Sequence, residues 1–241
     1  MQMRQWISQL TPQALALAAA LIVSANAPSQ ESQPLPEEKA QGTEAPEKTT
    51  CPPVRKVRIP MRGGALRITR ISGAVIFEAG LAIDADGAPN AYAPHGRGLD
   101  RLANARHGHR WIGVATGKNG EPLIQKKGPY RGYYVSVTSL QESAIRNRGN
   151  PAKYADSTVI PYIALPPEVA RRFGIALGDL AVVINQRSEP PVSVFAIYAD
   201  TGPRGRIGEG SMALAEALGQ PSDPRHDRTE DGLLYVVFPG S

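Results

Sequence analysis

Two carboxylates, Asp200 and Glu209, stand on either side of a glycine-rich turn in the stretch Asp-Thr-Gly-Pro-Arg-Gly-Arg-Ile-Gly-Glu-Gly-Ser. Two acids held close together suit hydrolysis of a glycosidic bond, in which one protonates the leaving oxygen while the other activates water or attacks. The glycines around Glu209 leave its side chain uncovered and let the bulky rings of a polymer approach the backbone. The same residue types also serve plain structural ends, as a turn-capping aspartate and a solvated loop glutamate. A second pair, Asp84 and Asp86, lies in Ile-Asp-Ala-Asp-Gly. Alternation at a strand end puts both acids on one side, where they either face a substrate or stabilise the turn. Asp-x-Asp-Gly also begins a calcium loop, but the further oxygen ligands are missing, so no metal site is expected. His107 and His109 have no Cys or third His near them and are expected to be solvated. No cofactor is expected.

The elements that position these residues follow from pattern. Val192–Ala199 is β-rich and uncharged, a strand expected to be buried on both faces and to end at Asp200. Ser211 can cap a helix over residues 212–218, which Gly219 and Pro221 stop. Upstream, strands are expected over residues 54–60, 65–71 and 75–83, then over Trp111–Thr116, paired with Leu123–Lys126 across an Asn-Gly turn. Arg131–Leu140 is the strongest isolated strand pattern, because Tyr133, Tyr134, Val135, Val137 and Thr138 all favour a pleated surface. Further strands are expected at 160–165, at 180–185 pairing with 192–199, and at 233–238 closing the sheet. A short helix is expected at 168–173, opened by Pro166-Pro167. Seven to nine short strands with two brief helices would expose many edges in an open sheet, so the expected fold is all-β and closed into a barrel.

The stretch around the acid pair resembles that of glycoside hydrolase family 75, the fungal-type chitosanases: a hydrophobic strand ending in Asp, a glycine-rich turn, Gly-Glu-(Gly/Ala)-Ser and an alanine-rich helix. The resemblance extends over roughly residues 70–241. Ordered blocks carry it: 77–92 with its Asp-x-Asp-Gly segment, 98–105, Gly132–Leu140, Ile160–Ile163, Gly178–Val183 and Tyr235–Gly240. It implies catalysis by Asp200 and Glu209 with inversion of configuration, and substrate contacts from Asp84, Asp86, Tyr92, Asp100 and Tyr133. Trp111 could offer a stacking face to a sugar, although core packing is its more ordinary role. The strand, turn and helix order also resembles the double-psi barrel of rare lipoprotein A-like lytic transglycosylases, which implies a six-stranded core with extra strands.

Residues 1–27 read as a secretory signal peptide, with Arg4, an apolar run over 14–23 and Ala25-Asn26-Ala27 as cleavage site. Residues 28–53 form a Pro/Glu-rich linker with too little apolar surface to order itself, and 54–241 the domain. Cys51, the single cysteine, is expected to be a free thiol. A secreted or periplasmic monomer follows as the expectation, without stable membrane association after cleavage.

The domain has 24 basic and 17 acidic residues. A cationic chitosan chain calls for negative potential where it binds, so either the positive excess lies elsewhere or the glycan is less cationic. Scattered arginines and no recognised motif argue against nucleic acid as a partner. Three readings stand: a chitosanase-like endo-hydrolase cleaving β-1,4 linkages of a glucosamine-containing polysaccharide, a peptidoglycan-cleaving enzyme on a related barrel, and a non-catalytic glycan-binding module.

Overall fold

The computed structural model describes residues 53–226 and 229–241. Residues 1–52, on which the expected signal peptide, all but the last residue of the expected linker, and Cys51 fall, lie outside them. The first elements are the strands β1 (Arg55–Met61), β2 (Gly64–Ile71) and β3 (Ala74–Asp84). A long insertion follows, residues 85–161, holding the two-residue strands β4 (Arg106–His107) and β5 (Arg110–Trp111) and two single 3-10 turns at Pro94–Gly96 and Pro151–Lys153. Then come β6 (Tyr162–Leu165), the helix α1 (Pro167–Phe173), β7 (Leu180–Asn185), β8 (Val192–Thr201), β9 (Glu209–Ser211), the helix α2 (Met212–Ala217) and β10 (Thr229–Phe238).

Six strands close on themselves in the order β3-β10-β7-β8-β6-β9, with β9 returning to β3. Four neighbouring pairs are antiparallel, while β6–β8 and β3–β9 are parallel. An up-and-down barrel has only antiparallel neighbours. Two parallel pairs need crossovers, as the double-psi arrangement requires. The barrel interior is filled by Phe77, Leu81, Ile163, Leu165, Val183, Tyr198 and Tyr235, with Leu214 of α2 and Phe173 of α1 plugging the ends. The β1–β2 hairpin lies outside the ring and is joined to it through β2 and β3.

Local signals are realised where their causes are local. Ser211 caps α2, its Oγ accepting from Leu214 N at 3.1 Å, and the chain leaves that helix through Gly219 at φ +69. Pro167 opens α1 and Gly174 ends it in the left-handed region.

Three expectations are corrected. Arg131–Leu140 starts in a turn, ends in a bend and makes only isolated bridges at Tyr134 and Ser136, so it is not a strand of any sheet. Its backbone bonds go to different segments, Tyr134 N to Tyr92 O, Val135 N to Leu123 O, Val137 N to Gly113 O and Leu140 N to Ala199 O, so no continuous ladder forms. Trp111 ends the short strand β5, and residues 112–116 and 123–126 make only isolated bridges, although the expected turn exists, with Gly117 N bonded to Glu121 O at 2.8 Å. β8 is not buried on both faces along its length, for Ser193 and Phe195 are exposed near its start. Residues 233–238 belong to a longer strand, β10, which pairs with β3 on one side and β7 on the other and so closes the sheet as expected.

Candidate functional site

Side-chain alternation decides which barrel face carries the acids. Leu81 of β3 and Ile163 and Leu165 of β6 point into the core, so Ala82, Asp84 and Ala164 point outward. Glu209 is paired with Ala82 on one side and Ala164 on the other, and shares their face. Gly210, the next residue, faces inward, where an added Cβ would lie 2.8 Å from Leu214 and 3.2 Å from Leu81. Across β6, Ala164 is paired with Asp200 after a register shift that follows Tyr198. Such a bulge re-aims a side chain, here turning Asp200 onto the outer face. Asp200 and Glu209 therefore flank one residue of β6, and the Glu209 carboxylate leans toward β8. Its Oε2 lies 2.9 Å from where a Cβ on Gly202 would be.

The insertion folds over this wall. Ser139 delivers its backbone N–H (2.9 Å) and hydroxyl (2.6 Å) to Asp200 Oδ1, and Thr201 N donates to the same oxygen at 2.7 Å. No described residue donates to Asp200 Oδ2. Asp84 Oδ1 accepts from Asp86 N at 2.8 Å, and Asp86 Oδ1 accepts from the Tyr92 hydroxyl at 2.7 Å. Ser157 ties the layers together, its hydroxyl donating to Asp84 O and accepting from Met212 N at the start of α2. Tyr162, reaching outward from β6, donates to Asp86 O at 2.9 Å.

Asp84, Asp86 and Asp200 thus converge, with a carboxylate oxygen from each within 4.8 Å of the others. One cation could bridge them, whether a metal ion or an ammonium group. Burial pushes all three pKa values above the usual carboxylate range. For Asp84 the charges of Glu209 and Asp200 add to burial; for Asp86 those of Asp84 and Asp200 do. For Asp200 the bonds from Ser139 and Thr201 oppose the rise without cancelling it. No Lys or Arg is among the principal influences on any of the three.

The loop between Asp200 and Glu209 is pinned from two sides. Glu168, in the first turn of α1, accepts from Gly205 N at 2.6 Å through Oε1, while its Oε2 is buried without a partner. On the other side Arg62 N donates to Gly205 O at 2.7 Å. Burial raises the Glu168 carboxyl, but the backbone bonds from Gly205 and its own amide more than offset this and hold it below its ordinary range.

Of the residues expected at the site, Asp84, Asp86, Asp200 and Glu209 come together. Tyr92 and Asp100 stand behind them. Tyr92 is buried, its hydroxyl 3.3 Å from Asp100 Oδ2 on the side away from its bond to Asp86, and Asp100 is held by Arg101 N and Asn104 Nδ2. Their place is to support Asp86. Trp111 packs at 5.7 Å against Tyr134, with the Arg106 guanidinium 3.6 Å from its ring centre, and Tyr133 sits edge-on to Tyr130 at 5.8 Å. His107 and His109 are exposed. Ser139, Ser157, Tyr162, Glu168 and Gly202 were not singled out as site residues. Ser139 and Tyr162 lie inside the quoted blocks, but nothing local marks a serine or tyrosine as a carboxylate's partner.

No protein-family model matches the chain, and no curated protein matches it.

Proposed function

We propose that the domain hydrolyses β-1,4 linkages of a glucosamine-containing polysaccharide, with Glu209 as general acid and Asp200 as the base that activates water. The observation that carries the reading is the placement of the two carboxylates on one outward face, on either side of Ala164. Two strand spacings separate their Cα atoms, about 9–10 Å. With Glu209 leaning toward Gly202, that suits the roughly 6.5–9.5 Å between carboxyl groups at which an inverting enzyme accommodates a water.

In the step, water attacks the anomeric carbon and passes a proton to Asp200 while the bond to the glycosidic oxygen breaks. Glu209 gives that oxygen its proton. The three donors on Oδ1 fix the Asp200 carboxylate and leave Oδ2 as the proton acceptor. Asp84 and Asp86 enlarge the negative charge beside the pair, matching the ammonium groups of a deacetylated chain.

Product analysis on chitosan, chitin and peptidoglycan tests this. Shortened glucosamine oligomers of inverted anomeric form are the expected products. Release of peptidoglycan fragments alone would move the reading to a wall-cleaving enzyme on a related barrel. Binding without cleavage of any of the three would make the domain a glycan-binding module.

A further inference from the structure

The arginines are not scattered evenly as expected: the positive excess of the domain is concentrated in one element. Arg55, Lys56, Arg58, Arg62, Arg67 and Arg70 all lie in the β1–β2 hairpin, and no acidic residue occurs between Glu47 and Glu78. The rest of the domain, with 18 basic and 17 acidic residues, is close to neutral. All six cations are exposed, and none is ion-paired among the described residues.

Their arrangement goes beyond what solubility needs. Val57, Ile59, Leu66 and Ile68 turn toward the barrel core, so Lys56, Arg58 and Arg67 share the opposite, outward face. Arg58 stands directly across from Arg67, and Arg55 from Arg70. Like charges placed opposite each other on neighbouring strands destabilise the pair. Cations on β1 alone would blunt an exposed edge, but β2 is covered on both sides and needs no such protection.

We propose that the outward face of the β1–β2 hairpin docks an anionic polysaccharide. Charge complementarity calls for a polyanion. The hairpin has no aromatic side chain on which bases could stack, and it presents strands rather than a helix to a groove. Beside the cations the outward face carries Pro60, Ala65, Thr69 and, at the end of β2, the half-buried Ile71, a single apolar side chain and too little to enter a membrane. Lys56, Arg58 and Arg67 together make a strip of cations that an extended, repeating acid chain can follow. The surface is independent of the hydrolase reading.

The test is retention of the full-length chain on immobilised heparin, used as the probe polyanion, against Arg58→Ser/Arg67→Ser and a control of equal charge change, Lys126→Ser/Lys127→Ser. The control lysines are exposed and lie on the insertion. The hairpin variant should bind about tenfold more weakly or worse at physiological salt, with the control near the parent and all three melting alike. Equal weakening in both variants would reduce the effect to net charge and overturn the proposal, as would an unchanged hairpin variant. Tighter retention on duplex DNA or on anionic phospholipid vesicles at matched salt would overturn the choice of partner.

Discussion

The two ends of β3 present opposite charge problems on one strand. The strand is eleven residues long, about 33 Å of extended chain. Its first half pairs with β2 and so carries the basic hairpin; its last three residues pair with β9 and carry the acids. At the basic end every cation is left to water. At the acidic end Asp84, Asp86 and Asp200 are crowded, and each is given hydrogen-bond donors by backbone or hydroxyl groups, two of those on Asp200 coming from Ser139, far away in sequence. Solvated charge needs only a strand pattern, because water does the screening. Charge withdrawn from water needs a tertiary structure to supply donors, and even then burial keeps the protons on more tightly.

The largest test of this contrast is to remove chemistry at one end and charge at the other. Asp200→Asn and Glu209→Gln should each lower turnover by at least about a hundredfold with the fold retained. Arg58→Ser/Arg67→Ser should leave turnover on a short soluble glucosamine oligomer unchanged. Near-normal activity in either acid variant would remove the pair from the chemistry.

A smaller loss is expected from Gly202→Ala, whose Cβ would lie 2.9 Å from Glu209 Oε2. The glutamate must swing aside, and a misplacement of that order should lower kcat by about tenfold. Unchanged kcat would show that Glu209 does not act from over Gly202.

Glu168→Ala leaves Gly205 N without its acceptor and loosens the loop between the acids. A melting experiment should show a loss of about 1–2 kcal/mol, and Glu168→Gln, which keeps an acceptor oxygen, should recover most of it. If glutamine does no better than alanine, the bond is not what holds the loop.

The smallest effect is a gain. Asp84 has a folded pKa above its unfolded value near 3.9. Between those two values the native state keeps a proton that the unfolded chain releases, so stability falls as pH rises through that window. Asp84→Asn carries no such penalty. It should stabilise by about 1 kcal/mol at neutral pH, roughly 2–4 °C for a domain of this size, with the gain vanishing below about pH 4. Melting curves across pH check it; a variant less stable than the parent at neutral pH would mean that Asp84 is paired with a cation.

Legibility followed the range of the interactions. The strand to Asp200, the Ser211 cap, the stop at Gly219 and the β7–β8 pairing depend on near neighbours and could be read directly. Arg131–Leu140 misled because β-propensity reports how well residues fit an extended surface, while its partners are four separate segments. Tyr92 and Asp100 entered only through the resemblance, as substrate contacts, and nothing local marked them as the support behind Asp86. That role depends on burial and on a hydroxyl reaching two carboxylates.

By itself the sequence determined the strand inventory that forces closure and the glycine-rich turn with its two acids, for these rest on alternation and turn chemistry. The tertiary structure decided which face of the barrel the acids share. A register shift after Tyr198 and the two-sided pairing of Glu209 set that face, and one residue of slip on either strand would have turned the carboxylate inward. It alone brought Ser139 to Asp200, and Asp200 to Asp84 and Asp86, because only chain closure joins segments so far apart in sequence.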